Sequence, residues 1–309
     1  AFASFATDLV AADTNSTCDT FVSELQPPTF QPDTLVHNGT AYIGDGIYNT
    51  DGASQTASQT VAPNVAATFP LKLQNDGNAA DRLLMTGPAS NSKWSVQYLL
   101  HDTSTDITDS VTGAGWTSSW LSIGAEVAVD VLITPQSTAG GNEVRSILVS
   151  TFSVTDLAKR DVVRLNATCA PSYQPDLLIH DGSSDLGNGT YNTDGTDQAV
   201  AHSAANGTTV TYPIKLQNDG NLSDRFKVTG PAGTSDWQVQ YLLHADSTDI
   251  TSSVTGSGWT SSNLAVGAEV ALDLKVTPLT GADGNEVHSV LLSAASVASS
   301  AKKDAVKAD

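Results

Sequence analysis

Apolar and polar residues alternate along much of this chain. Trp94, Val96, Tyr98 and Leu100 interleave with Ser95, Gln97 and Leu99. Val127, Val129, Val131 and Ile133 interleave with Ala128, Asp130, Leu132 and Thr134, and Phe69, Leu71 and Leu73 with Pro70, Lys72 and Gln74. A period of two puts one set on a buried face and the other toward solvent, which predicts half-buried β-strands. Turn-forming clusters punctuate them: Asn75-Asp76-Gly77-Asn78, Thr86-Gly87-Pro88 and Gly113-Ala114-Gly115. The alanine-rich segment Ser293–Asp309 has a helical composition, but its counterpart earlier in the chain, Asp161–Leu165, is β-branched, so a closing strand is expected in both places.

That counterpart exists because the chain is one unit written twice. Shifted by 143 residues, Gln31–Ser153 matches Gln174–Ser296 without a gap, and 70 of the 123 pairs are identical. A period this long is a whole domain. The expected organisation is an N-terminal extension over 1–30, a first unit over 31–168 and a second over 172–309. With seven to nine short strands expected per unit, the fold class is all-β, as two tandem β-sandwich domains.

Composition narrows the function. The chain has 14 basic and 33 acidic residues, a net charge of −19. So acidic a surface lacks the cations that binding a phosphate backbone requires, and anionic membranes repel it, so neither is an expected partner. No apolar run is long enough to span a bilayer. The first residues, without an initiator Met or a basic stretch, read as a processed terminus of a secreted chain.

The run LKLQNDGNAADRLLMTGPA, then SKWSVQYL, then LSIGAEVAVDVLITP, resembles the Ig-like repeats of bacterial and archaeal surface proteins, with the CARDB-like sandwich class the nearest group. The resemblance covers both units and not residues 1–30. It implies an Ig-like sandwich at the cell surface, used as spacer, adhesin stalk or filament subunit, and it supplies no catalytic residues.

Candidate sites are few. His37 recurs as His180 and His101 as His244, but the acid beside His101 becomes Ala245 in the second copy, and neither a Gly-x-Ser-x-Gly elbow nor a His-Glu-x-x-His motif is present. No enzyme and no cofactor are expected. Asp45, Asn49 and Asp51, in GDGIYNTDG, carry oxygens at spacings that suit either a calcium loop or plain turn chemistry. Asn15, Asn38, Asn166, Asn188, Asn206 and Asn221 head Asn-x-Ser/Thr sequons, candidates for covalent glycans on a secreted chain. Trp120 is replaced by Asn263 in the second copy, which suggests a surface contact special to unit one or packing on the extension. Cys18 and Cys169 are the two cysteines, and a bridge between them, within one chain or between two, suits an extracytoplasmic compartment.

The extension points furthest toward function. Ala3, Phe5, Thr7, Leu9 and Ala11 alternate with small and polar residues, a strand that aggregates unless paired. Thr7-Asp8-Leu9 followed by Cys18 also echoes Thr155-Asp156-Leu157 followed by Cys169, the end of a unit. The expectation is an extracellular filament subunit whose residues 1–13 complete a sheet in a neighbouring copy, head to tail. The alternative is a secreted adhesin or carbohydrate-binding module.

Overall fold

In a computed structural model of the chain, residues 2–4, 19–21 and 26–309 are described. Unit one contributes β3 (Pro32–His37), β4 (Tyr42–Ile43), β5 (Thr56–Val61), β6 (Ala67–Asn75), β7 (Leu83–Thr86), β8 (Trp94–Leu100), β9 (Trp116–Thr117), β10 (Glu126–Pro135), β11 (Val144–Ser153) and β12 (Arg160–Cys169). They form two five-stranded sheets, ordered β4-β3-β6-β10-β8 and β5-β12-β11-β7-β9. The alternation read from the sequence sets the packing. Phe69, Leu71 and Leu73 of β6, Val129, Val131 and Ile133 of β10, and Trp94, Val96 and Tyr98 of β8 turn inward against Ile147, Val149, Val163 and Leu165 of the other sheet.

Unit two repeats this with β13 (Pro175–His180), β14 (Asp185–Leu186), β15 (Ala199–Val200), β16 (Val210–Asn218), β17 (Phe226–Thr229), β18 (Trp237–Leu243), β19 (Trp259–Thr260), β20 (Glu269–Pro278), β21 (Val290–Ser296) and β22 (Lys303–Ala308). The alanine-rich C-terminal segment is a strand, as its counterpart requires. Each unit has ten strands, against seven to nine expected. The excess comes from two-residue edge pieces such as β4 and β9, too short to carry a period. A five-residue helical turn, α1 (Thr108–Thr112) and α2 (Thr251–Thr255), plugs one end of each sandwich with Val111 or Val254.

A buried carboxylate ties the two sheets of each unit together. Asp161, near the start of β12, accepts from the Thr34 amide on β3 at 2.8 Å, the Asn49 amide at 3.0 Å and Gln55 Nε2 at 2.8 Å. Gln55 Nε2 also donates to the Ile47 carbonyl, so the loop between β4 and β5 is folded back onto both sheets. Gly52 allows the close approach: at φ +74°, a Cβ there would stand 2.8 Å from the Arg164 backbone nitrogen. Asp304 repeats the arrangement with Leu177, Asn192 and Gln198.

The units join through Asn221, in the turn after β16. Its Oδ1 accepts from the Ser172 amide, its Nδ2 donates to the Ala170 carbonyl, and its own carbonyl accepts from the Gly141 amide of unit one. Ahead of unit one, Asn78 binds Thr29 and Pro27 in the same manner. In the extension, β1 (Phe2–Ser4) pairs antiparallel with β2 (Asp19–Phe21), Ala3 opposite Thr20, as a sheet separate from the four others. Phe5, Thr7, Leu9, Ala11, Asn15 and Cys18 lie outside the described residues.

Replacing Asp161 by Ala removes the acceptor of three hydrogen bonds, two of them buried, so Asp161→Ala is expected to lower unfolding stability by about 3 kcal/mol. Asp161→Asn, which keeps one acceptor oxygen, is expected to lose less. Urea unfolding of the full chain reads both, and an Asp161→Ala variant as stable as wild type would remove this carboxylate from the account of the fold.

Candidate functional site

The closing strand of unit one is held along its whole length. In unit one, β12 runs ten residues, antiparallel to β11 and parallel to β5 from Arg164↔Thr56 to Cys169↔Val61. Its last inward side chains, Ala167 and Cys169, are fully buried. The Cys169 amide donates to the Glu143 carbonyl, its carbonyl accepts from Asn142, and the Ala170 amide donates to the Val61 carbonyl. In unit two, β22 runs six residues and pairs with β15 at two positions, Ala199↔Lys307 and Val200↔Ala308. The final residue, Asp309, stands where Asn166 does in unit one, held by the Val200 carbonyl, the His202 amide and Ser289 Oγ.

Beyond Asp309 lies a cleft of about 620 Å³, walled by Ala201–Asn206 on one side and Ala282–His288 on the other. Its floor is core. Trp237, Val210 and Ala282 are half-buried there, whereas their counterparts Trp94, Ala67 and Ala139 are at most 2% exposed. Trp237 stacks on His288 at 5.2 Å between ring centroids and donates Nε1 to Glu286. Buried Nε2 of His288 has no partner among the described residues. Nor, among those residues, does a hydrogen bond reach the carbonyls of Glu286 and Ala204 or the amide of Asn285, the counterparts of the groups that hold the end of β12.

The acidic loops are the second polar feature. Carboxylate oxygens of Asp33, Asp45 and Asp76 lie within 4.8 Å of one another, a group that could hold a divalent cation. Asp33 is fully buried, and its Oδ1 has no partner among the described residues. Of the expected calcium candidates, Asp45 belongs to this group. Asn49 Oδ1 accepts from the Asp51 and Gly52 amides and Asp51 Oδ1 from the Ala53 amide, so both close their own turn. In unit two Asn188 replaces Asp45. Burial, reinforced by the charges of Asp76, Asp161 and Asp45, pushes the Asp33 carboxyl up to about 7, and burial likewise pushes Asp176 up to about 7.

The other expected residues fall apart in space. His101 and His244 each meet an acid, but across the sheet: Nδ1 lies 2.9 Å from Asp130 and 3.0 Å from Asp273, both histidines being exposed. Trp120 is 67% exposed, while Trp116 and Trp259 pack on the cores. Asn38, Asn188 and Asn206 are exposed and Asn166 half-buried. Asn221 is corrected as a glycan site: its amide is buried, with Nδ2 committed to Ala170 and to Cys169 Sγ at 3.4 Å, and the joint between units depends on it. Cys169 is a buried thiol with no disulfide partner among the described residues, raised above the usual thiol range by burial; its expected partner Cys18 is outside the described residues. No helix among the described residues is long and apolar enough to cross a membrane.

No family model and no curated protein matches the chain. Solved structures that resemble it include the CsuC–CsuE chaperone–tip adhesion subunit complex of Acinetobacter baumannii (10% identity, 77% of this chain, 96% of that one, TM-score 0.37). The CupB6 tip adhesin of Pseudomonas aeruginosa gives 10% identity over 80% of this chain and 92% of that one, with a TM-score of 0.31. The secreted serine protease VesC of Vibrio cholerae gives 13% identity over 74% of this chain, TM-score 0.25, and the match spans 47% of the protease's length. Likeness at this level carries no argument about function.

The raised carboxyls set a pH dependence. Their folded value of about 7 exceeds the ordinary 3.8, so folding favours the protonated form. The stability they contribute is full below about pH 4 and is lost as pH rises through 7. Melting temperature is therefore expected to be higher at pH 5 than at pH 8, and the Asp33→Asn, Asp176→Asn double variant is expected to flatten that slope. An unchanged slope in thermal melts of the variant would assign it to other groups.

Proposed function

We propose that this chain is a structural subunit of an extracellular fibre at a cell surface, assembled head to tail from copies of itself and not an enzyme. The observation that carries the reading is in the sequence of the extension: Ala3, Phe5, Thr7, Leu9 and Ala11 alternate with small and polar residues, and Thr7-Asp8-Leu9 followed by Cys18 echoes Thr155-Asp156-Leu157 followed by Cys169, where a unit ends. An alternating segment of this kind, lying before the repeat in the sequence, is suited to pair with the sheet edge of a neighbouring copy. The Ser- and Thr-rich faces would lie outward along the fibre, where sequons such as Asn38, Asn188 and Asn206 could carry glycans.

A second reading, a secreted adhesin that binds carbohydrate, rests on Trp120, whose exposed ring is present in unit one alone.

Negative-stain electron microscopy of the purified chain tests the first reading. Fibres with a two-domain repeat are expected, and removal of residues 1–25 is expected to leave dispersed two-domain particles. Wild-type chain that stays dispersed at every concentration would overturn the fibre. Glycan-array binding abolished by Trp120→Ala would then support the second reading.

A further inference from the structure

We propose that Asp33, Asp45 and Asp76 of unit one bind a calcium ion, and that unit two, where Asn188 replaces Asp45, binds it about tenfold more weakly. The three carboxylates come from separate stretches of chain that one sheet brings to a single corner. Asp33 lies on β3, whose neighbour β6 pairs Asn75 with Pro32 and Gln74 with Asp33. Asp76, the residue after β6, therefore returns beside β3, with its amide on the Gln31 carbonyl at 2.8 Å. Asp45 follows β4, which pairs with the other edge of β3, in a turn where Gly44 and Gly46 both have positive φ. The Gly46 amide donates to Asp33 Oδ2 at 2.8 Å, and that bond holds the turn over Asp33.

No charge on the described residues neutralises this group. Among them no Lys, Arg or His forms an ion pair with any of the three carboxylates. The Tyr48 hydroxyl donates to Asp76 Oδ2 at 2.9 Å but carries no charge. Asp33 is fully buried, yet its Oδ1 has no partner among the described residues. A buried carboxylate oxygen without a donor calls for a ligand from outside the chain. Carboxylate oxygens within 4.8 Å of one another can share one calcium ion, because that span is about twice a Ca–O distance of about 2.4 Å. A donor set of oxygens alone selects a hard cation, and the exposed side at Asp45 leaves room for water to complete the shell. Asp76 is two residues from Asn78, which holds Pro27 and Thr29, so the ion would also fasten the turn on which the chain enters unit one. In unit two, Asp176 and Asp219 keep their places: Gly189 donates to Asp176 Oδ2, Tyr191 donates to Asp219 Oδ2, and Asp176 Oδ1 is orphaned in its turn. The third carboxylate is replaced there by an amide. The chain thus holds one pocket at two charges, and attraction for a divalent ion falls with each charge removed.

The test uses the full chain stripped with a chelator, with calcium alone as the probe, at pH 8. The melting temperature of wild type is expected to rise in millimolar calcium, and equilibrium dialysis is expected to find one tightly held ion per chain. Asp45→Asn gives unit one the residue of unit two and is expected to weaken binding about tenfold. In chelator this variant should melt as wild type does, because the Asp45 side chain is exposed and makes no hydrogen bond among the described residues. Asn188→Asp is expected to raise the count of tight ions to two, and both substitutions together to return it to one. A wild-type melt that is the same in chelator and in calcium would overturn the site. Binding that Asp45→Asn leaves unchanged would place the ion elsewhere on this acidic surface and overturn the assignment, as would a rise in melting temperature that sodium reproduces at matched ionic strength.

Discussion

Each sandwich depends on one buried carboxylate placed where its closing strand begins. Asp161 gathers an amide from the first strand of one sheet, an amide from the loop between sheets and the side chain of Gln55. Its own strand belongs to the other sheet, so one side chain sets the distance between sheets and the path of the loop. Burial works against its charge and raises its affinity for a proton, while three donated hydrogen bonds pull the other way. The same geometry recurs around Asp304. A polar clamp that fits only one arrangement of donors fixes the register of the closing strand, which an alternating apolar face alone fixes less firmly.

From this pinned start the closing strand of unit one runs through the core to Cys169, which ends beneath Ala139 and against Asn221 of the next unit. The joint between units is thus an extension of the sheet followed by a short linker docked on an asparagine.

Much of the fold was legible before any coordinates. The repeat, the inward faces of β6, β8 and β10, and the strand character of Ser293–Asp309 follow from period and from internal comparison. The acidic loop was legible only in composition: its Asn and Asp residues looked alike, yet Asn49 and Asp51 are spent on their own turn while Asp45 faces Asp33 and Asp76. The partners of His101 and His244 were hidden because they lie 29 residues away across a strand pair. Asn221 carries a sequon, and nothing in its local sequence distinguishes it from exposed Asn38; only the approach of Ala170 and Gly141 buries it.

What the sequence by itself determined is therefore the class of structure: period-two patterning and a 143-residue duplication admit little besides two β-sandwiches in tandem. Tertiary structure alone decided which polar groups meet, Asp161 with Thr34, Asn49 and Gln55, and Asn221 with Ser172, Ala170 and Gly141. Side-chain pattern is a local property and repeats with the residues. Whether a strand's edge is paired and whether a core is covered depend on which backbone lies alongside, and this is settled by segments brought together from more than a hundred residues apart, as β5 and β12 are.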